Sequence, residues 1–113
     1  MPSATAICLA GGRFKVEATW KTADGTTGVA HTVSLTDNSA YLWFFDPNNV
    51  EAIVKVLNAC SLGNHFWVFA GGLTNVQVTI TVTDSVSGIV RTYFNPQNTP
   101  FQPLQDTRAF TCS

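Results

Sequence analysis

The chain has 113 residues, 45% hydrophobic and only 12% charged, with a formal net charge of −1. That length makes one domain, residues 1–113, with room for a real core. Six scattered Lys and Arg residues exclude the concentrated basic patch that nucleic acid requires, and no apolar run is long enough for membrane insertion.

Met1-Pro-Ser-Ala-Thr-Ala6 lacks the basic start and apolar centre of a signal peptide. It reads as the start of a mature domain behind an added Met. Ala6-Ile-Cys-Leu-Ala10 is a short apolar run closed by Gly11-Gly12, an entry strand. Arg13 to Lys21 then alternates. Phe14, Val16, Ala18 and Trp20 take one face, and Arg13, Lys15, Glu17, Thr19 and Lys21 the other, as in a half-buried antiparallel strand. Asp24-Gly25 marks a turn. Val29 to Leu35 is a weaker strand with Val29, His31, Val33 and Leu35 on one face, ended by the turn Thr36-Asp-Asn-Ser39.

The centre of the chain is aromatic. Tyr41-Leu-Trp-Phe-Phe45 and His65-Phe-Trp-Val-Phe69 are apolar on both faces. Alternation sends Tyr41, Trp43 and Phe45 one way and Leu42 and Phe44 the other; His65, Trp67 and Phe69 oppose Phe66 and Val68. Between them, Val50 to Leu57 places Val50, Ala52, Val54 and Val56 on one side and Glu51, Ile53, Lys55 and Leu57 on the other. Helix competes for this segment, but Ile-Val-Lys-Val favours strand. Val76 to Thr83 puts Val76, Val78, Ile80 and Val82 inside against Gln77 and three threonines. Asp84 to Gly88 links it to Ile89–Asn95 as a hairpin. Pro96, Pro100 and Pro103 then mark a loop that cannot pair regularly, before a terminal piece from Asp106 to Cys112. Seven to nine short strands and no convincing helix predict an all-β chain, an antiparallel β-sandwich immunoglobulin-like in outline. A closed barrel is the alternative.

Chemistry-bearing constellations are few. His31 and His65 are the only histidines, and even with Cys60 they lack the spacing of a metal site. Asp46, Asn48 and Glu51 offer oxygens within six residues, yet Asp-Pro-Asn is an ordinary type I turn. No metal or other cofactor is expected. No nucleophile elbow or activated cysteine is present, so the chain does not read as an enzyme. Of three cysteines, Cys60 and Cys112 flank strand ends and are expected to pair, leaving Cys8 buried in the core; a Cys8–Cys112 bridge is the alternative. The aromatic surplus points outward: Tyr41, Trp43, Phe45 and Trp67 form the candidate ligand contact, unless the proline-rich segment 96–105 roofs them.

The motifs Cys8-Leu-Ala-Gly-Gly-Arg-Phe-Lys-Val-Glu17, Trp43-Phe-Phe-Asp-Pro-Asn-Asn-Val-Glu51, Val54-Lys-Val-Leu57, Phe66-Trp-Val-Phe69, Thr81-Val-Thr-Asp84 and Asp106-Thr-Arg-Ala-Phe110 resemble a β-rich domain family of large secreted or surface proteins of environmental bacteria. Asn58-Ala59-Cys60 departs from the Asp-Gly usual there. The resemblance implies a secreted or cell-surface location and a noncatalytic accessory role in binding or surface presentation. Three other readings stand beside it: a carbohydrate-binding module using exposed aromatics, an immunoglobulin-like protease inhibitor, and a structural subunit of a surface assembly. The expected partner is a glycan or protein surface, and the expected state a monomer rather than an obligate oligomer.

Overall fold

A computed structural model describes residues 5–112; residues 1–4, most of the segment weighed as a signal peptide, and residue 113 lie outside it. The described residues form ten strands: β1 (Ile7–Leu9), β2 (Phe14–Lys21), β3 (Thr27–Val29), β4 (His31–Thr36), β5 (Ser39–Trp43), β6 (Ala52–Ala59), β7 (His65–Gly72), β8 (Gln77–Asp84), β9 (Val90–Asn95) and β10 (Leu104–Thr111). One helical turn, α1 (Cys60–Gly63), separates β6 from β7. The strands make two antiparallel sheets. Sheet I runs β1-β2-β8-β9, with β3 also paired to β2, and sheet II runs β10-β7-β6-β5-β4. The expected all-β sandwich is what the chain builds.

Period-two patterning decides what lies between the sheets. Phe14, Val16 and Ala18 of β2 and Val78, Ile80 and Val82 of β8 meet Leu42, Ala52, Val54, Val56, Val68 and Phe110 of sheet II in one buried cluster. Aromatic contacts tie the layers: the Phe14 ring lies 4.7 Å from Phe66 and 4.9 Å from Phe110. Of segment 50–57, open to a helical reading, residues 52–57 are strand within β6, whose β-branched run fills the core side with Val54 and Val56.

Four local expectations change. The strand expected over Val29–Leu35 is two, because the chain passes from sheet I to sheet II at Ala30, which is fully buried and donates its N–H to the Ala18 carbonyl. Val29 therefore lies on the outside of sheet I and His31 and Val33 on the outside of sheet II. Glu51, expected on the outer side, is only 5% exposed, since β6 starts one residue later and the alternation does not reach it. Arg13, assigned to the solvated face, is drawn back to Asp84 across the ladder by two 2.8 Å hydrogen bonds. Cys8 is free but only half-buried. Its register opposite Lys15 puts it on the outer face of sheet I, while Leu9, opposite Phe14, takes the core.

Cys60 and Cys112 form the disulfide, with Cα atoms 5.9 Å apart and 52 residues between them in sequence. It ties the start of α1 to the end of β10. Closing a loop of that length stabilises the fold by about 4 kcal/mol in the chain-entropy model.

A candidate binding face on the outer side of sheet II

Residues opposite one another in an antiparallel ladder project from the same face, so the registers of sheet II specify its outer surface. His31 faces Trp43. Val33, Tyr41, Ile53 and Gly71 form a row across four strands, and Ser39, Lys55, Phe69 and Gln105 form the next. Leu57 and Trp67 make a third. Tyr41, Trp43, Trp67 and Phe69 are each half-buried by their strand neighbours. None of them belongs to the core cluster or to the hydrophobic residues packed against it.

The rings are ordered by one another. The His31 imidazole lies parallel to the Trp43 indole, 3.8 Å between centroids and 9° between planes. Trp67 and Phe69 are 5.9 Å apart and tilted by 31°, and the Lys55 ammonium stands 5.3 Å from the centre of Phe69, a cation–π contact on a wet surface. Gly71 leaves the row of Tyr41 and Ile53 without a last side chain. A shallow depression of about 310 Å³ opens there, among Ile53, Lys55, Phe69, Gly71, Leu104 and Gln105. The face thus offers flat apolar rings, one cation and one amide.

The proline-rich segment does not roof these rings. Its Phe101 turns inward onto Gly72, where an added methyl group would overlap the ring, and packs with Leu104 against the core. Of that segment only Pro103, Leu104 and Gln105 reach the depression. Sequence reasoning identified Tyr41, Trp43 and Trp67 as outward-facing and set Phe69 beside Trp67 and Ile53 beside Lys55, but left these three out of the contact; the shared alternation of β6 and β7 was the signal that they complete it. Phe45 does not join them. The strand ends at Trp43, and the Phe45 ring meets Trp20 edge-on at 4.7 Å, though Phe45 remains 54% exposed.

The titratable groups held away from their ordinary values sit elsewhere. Asp84, fully buried, accepts two bonds from Arg13, one from the Ser87 hydroxyl and one from the Val86 N–H. The Arg13 guanidinium, before all else, holds its carboxyl far below the usual carboxylate range. The Arg13 guanidinium also lies 4.6 Å from the Phe66 ring, so the pair pins the β8–β9 turn to the start of β2. Burial and a 2.8 Å bond to Asp106 push the Tyr93 phenol up. Glu51 borders a groove of about 550 Å³ beside Phe101. Burial raises its carboxyl, against a bond from Thr74, and Asn49 donates to it at 3.2 Å.

The residues weighed as metal ligands do not gather. Cys60 is in the disulfide, and His65 Nδ1 lies 2.8 Å from the Gly63 carbonyl oxygen. The Asp46 carboxylate accepts the Asn48 N–H at 2.9 Å, and the Asn49 N–H reaches the Asp46 carbonyl, as in a turn. Among the described residues no three His, Cys, Asp or Glu side chains come together as a metal set, and no helix is long and apolar enough to cross a membrane.

Comparison with protein-family models, with curated proteins and with solved structures finds no match for the chain.

Proposed function

We propose that the protein is a noncatalytic extracellular binding module that lays the outer face of sheet II against its ligand. One observation carries this reading: Tyr41, Trp43, Trp67 and Phe69 share the solvent side of a five-stranded sheet and none contributes to the core. Large rings left partly exposed together, outside the core, support a contact surface. The long-range disulfide supports an oxidising, extracytoplasmic setting.

A glycan chain is the ligand that suits this face first. Flat aromatic rings stack on the apolar faces of sugars, while Lys55 and Gln105 beside Phe69 supply hydrogen bonds at the rim of the depression. A flat protein surface is the competing ligand. The test is binding of the intact domain to a panel of immobilised polysaccharides and to candidate proteins, with Trp43→Ala and Trp67→Ala alongside. Retention on a polysaccharide that both substitutions weaken supports the reading. Binding that is indifferent to both moves the contact to another surface and overturns it.

A further inference from the structure

The β8–β9 hairpin carries a second unexplained apolar surface. Of the ten exposed large hydrophobic residues among those described, four lie there: Val86 at 73%, Ile89 at 39%, Val90 at 51% and Phe94 at 60% exposure. Most of the rest of that side of sheet I is polar. Phe94 stands opposite Thr79, Thr92 opposite Thr81 and Val90 opposite Thr83, and beyond β8 come Thr19, Glu17 and Lys15. Elsewhere on this face the apolar side chains are Cys8 of β1 and Val29 of the three-residue β3 at the opposite edge; only β9 sets two large ones, Val90 and Phe94, along one edge strand, where a further strand would flank them.

Among the described strands, β9 is also the edge that is neither cut short nor broken in register, with Thr99, Phe101 and Pro103 of the proline-rich segment across a groove from Thr92 to Asn95. Natural sheet edges are blunted by shortness, bulges, prolines or charges. β1 and β3 have three residues each, and both β4 and β10 carry register breaks, between Ser34 and Thr36 and between Asp106 and Phe110. β10 adds Asp106 and the exposed Arg108. β9 pairs with β8 over six residues without a break and ends only at Pro96. Its single charge, Arg91, is exposed but tethered, donating from Nε to the Ala109 carbonyl at 2.7 Å.

We infer that β9 is a self-association edge, pairing antiparallel with β9 of a second copy of this chain about a two-fold axis at Thr92. That register is self-complementary, as an isologous interface must be. Each Phe94 falls opposite Val90 of the second copy, the two Thr92 residues face each other, and the apolar residues become neighbours inside one continuous sheet. Aromatic against β-branched is a favourable cross-strand pair. On the inner side Arg91 comes opposite Tyr93 of the second copy, whose hydroxyl is already bonded to Asp106, so opposite charges approach across the seam. The two aromatic faces of sheet II stay uncovered in such a dimer, which presents them as a pair. This inference does not rest on the ligand proposal, because the two surfaces belong to different sheets.

Sedimentation of the full chain over a concentration series reads the equilibrium directly. The expected result is a reversible dimer whose dissociation constant rises roughly tenfold or more in Phe94→Lys, because two apolar pairs are lost at once. A second readout holds even if that variant folds poorly. Thr92→Cys, made together with Cys8→Ser to remove the free thiol, cross-links under mild oxidation into a dimer, whereas Thr107→Cys on β10 with the same Cys8→Ser does not. A chain that stays monomeric at every soluble concentration overturns the inference. So does a dimer that Phe94→Lys leaves intact and Thr92→Cys fails to cross-link.

Discussion

The His31 imidazole and the Trp43 indole lie face to face across the β4–β5 ladder, 3.8 Å apart and within 9° of parallel. One face of Trp43 is thereby covered by a polar, half-exposed ring instead of by core. The indole is held in place without being part of the buried cluster.

Trp43→Ala is therefore expected to cost about 1 kcal/mol, the scale of a cross-strand aromatic pair. Phe110→Ala, which empties a fully buried site, costs about 3–5 kcal/mol. Thermal melts of the two variants measure the gap. Equal losses would mean that Trp43 is core and would remove it from the contact surface.

Breaking the Arg13–Asp84 pair has a larger effect. Arg13→Met leaves a buried carboxylate with only the Ser87 and Val86 donors, and a loss of about 3 kcal/mol or more in denaturant titration is expected. The pH dependence follows from the lowered carboxyl of Asp84. Its contribution is fully present above the ordinary carboxylate range and is lost as pH falls through the lower folded value. Wild type thus loses stability in acid that Asp84→Asn, already weaker at neutral pH, no longer has to lose.

Glu51 has the opposite sign. Burial raises its carboxyl, so its protonated form suits the fold, and it works against stability as pH rises past the folded value. Glu51→Gln keeps an acceptor for Asn49 and is expected to raise the melting temperature at pH 7. That gain should vanish in acid, where Glu51 is itself protonated. A variant that melts lower at pH 7 would show that the carboxylate is wanted for its charge.

The end of the sandwich next to the proline-rich segment depends on an absent side chain. Gly72→Ala pushes a methyl group into the Phe101 ring and is expected to destabilise by about 1–3 kcal/mol, as overpacking does. Gly72→Ala with Phe101→Ala should recover part of that loss, because the clash is gone. A double-mutant cycle in urea reads the coupling directly.

The disulfide gives the last prediction. Reduction of Cys60–Cys112 should lower stability by about 4 kcal/mol at most, with β10 loosening from β7 first, since the bridge anchors the end of that ladder. Hydrogen exchange of β10 amides before and after reduction reports it. Unchanged protection would mean that the Phe66–Phe110 side of the ladder holds the strand alone.

Alternation by itself determined the all-β class, the inward set Phe14, Val16, Ala18, Leu42, Val54, Val56, Val78, Ile80 and Val82, and the outward set Tyr41, Trp43 and Trp67. These follow from a period of two, a property of the strand alone. It misassigned the residues at strand ends, where the period lapses: Phe45 bends away to Trp20, Glu51 is buried ahead of β6, and Arg13 is pulled back to Asp84. Only the tertiary structure decided that the chain changes sheets at Ala30, that Phe101 turns inward and leaves the aromatic face open, and that β9 is the last strand of sheet I. Each of these depends on which strand lies beside which. Pairing between strands distant in sequence is set by the fit of whole faces, and no local pattern records it.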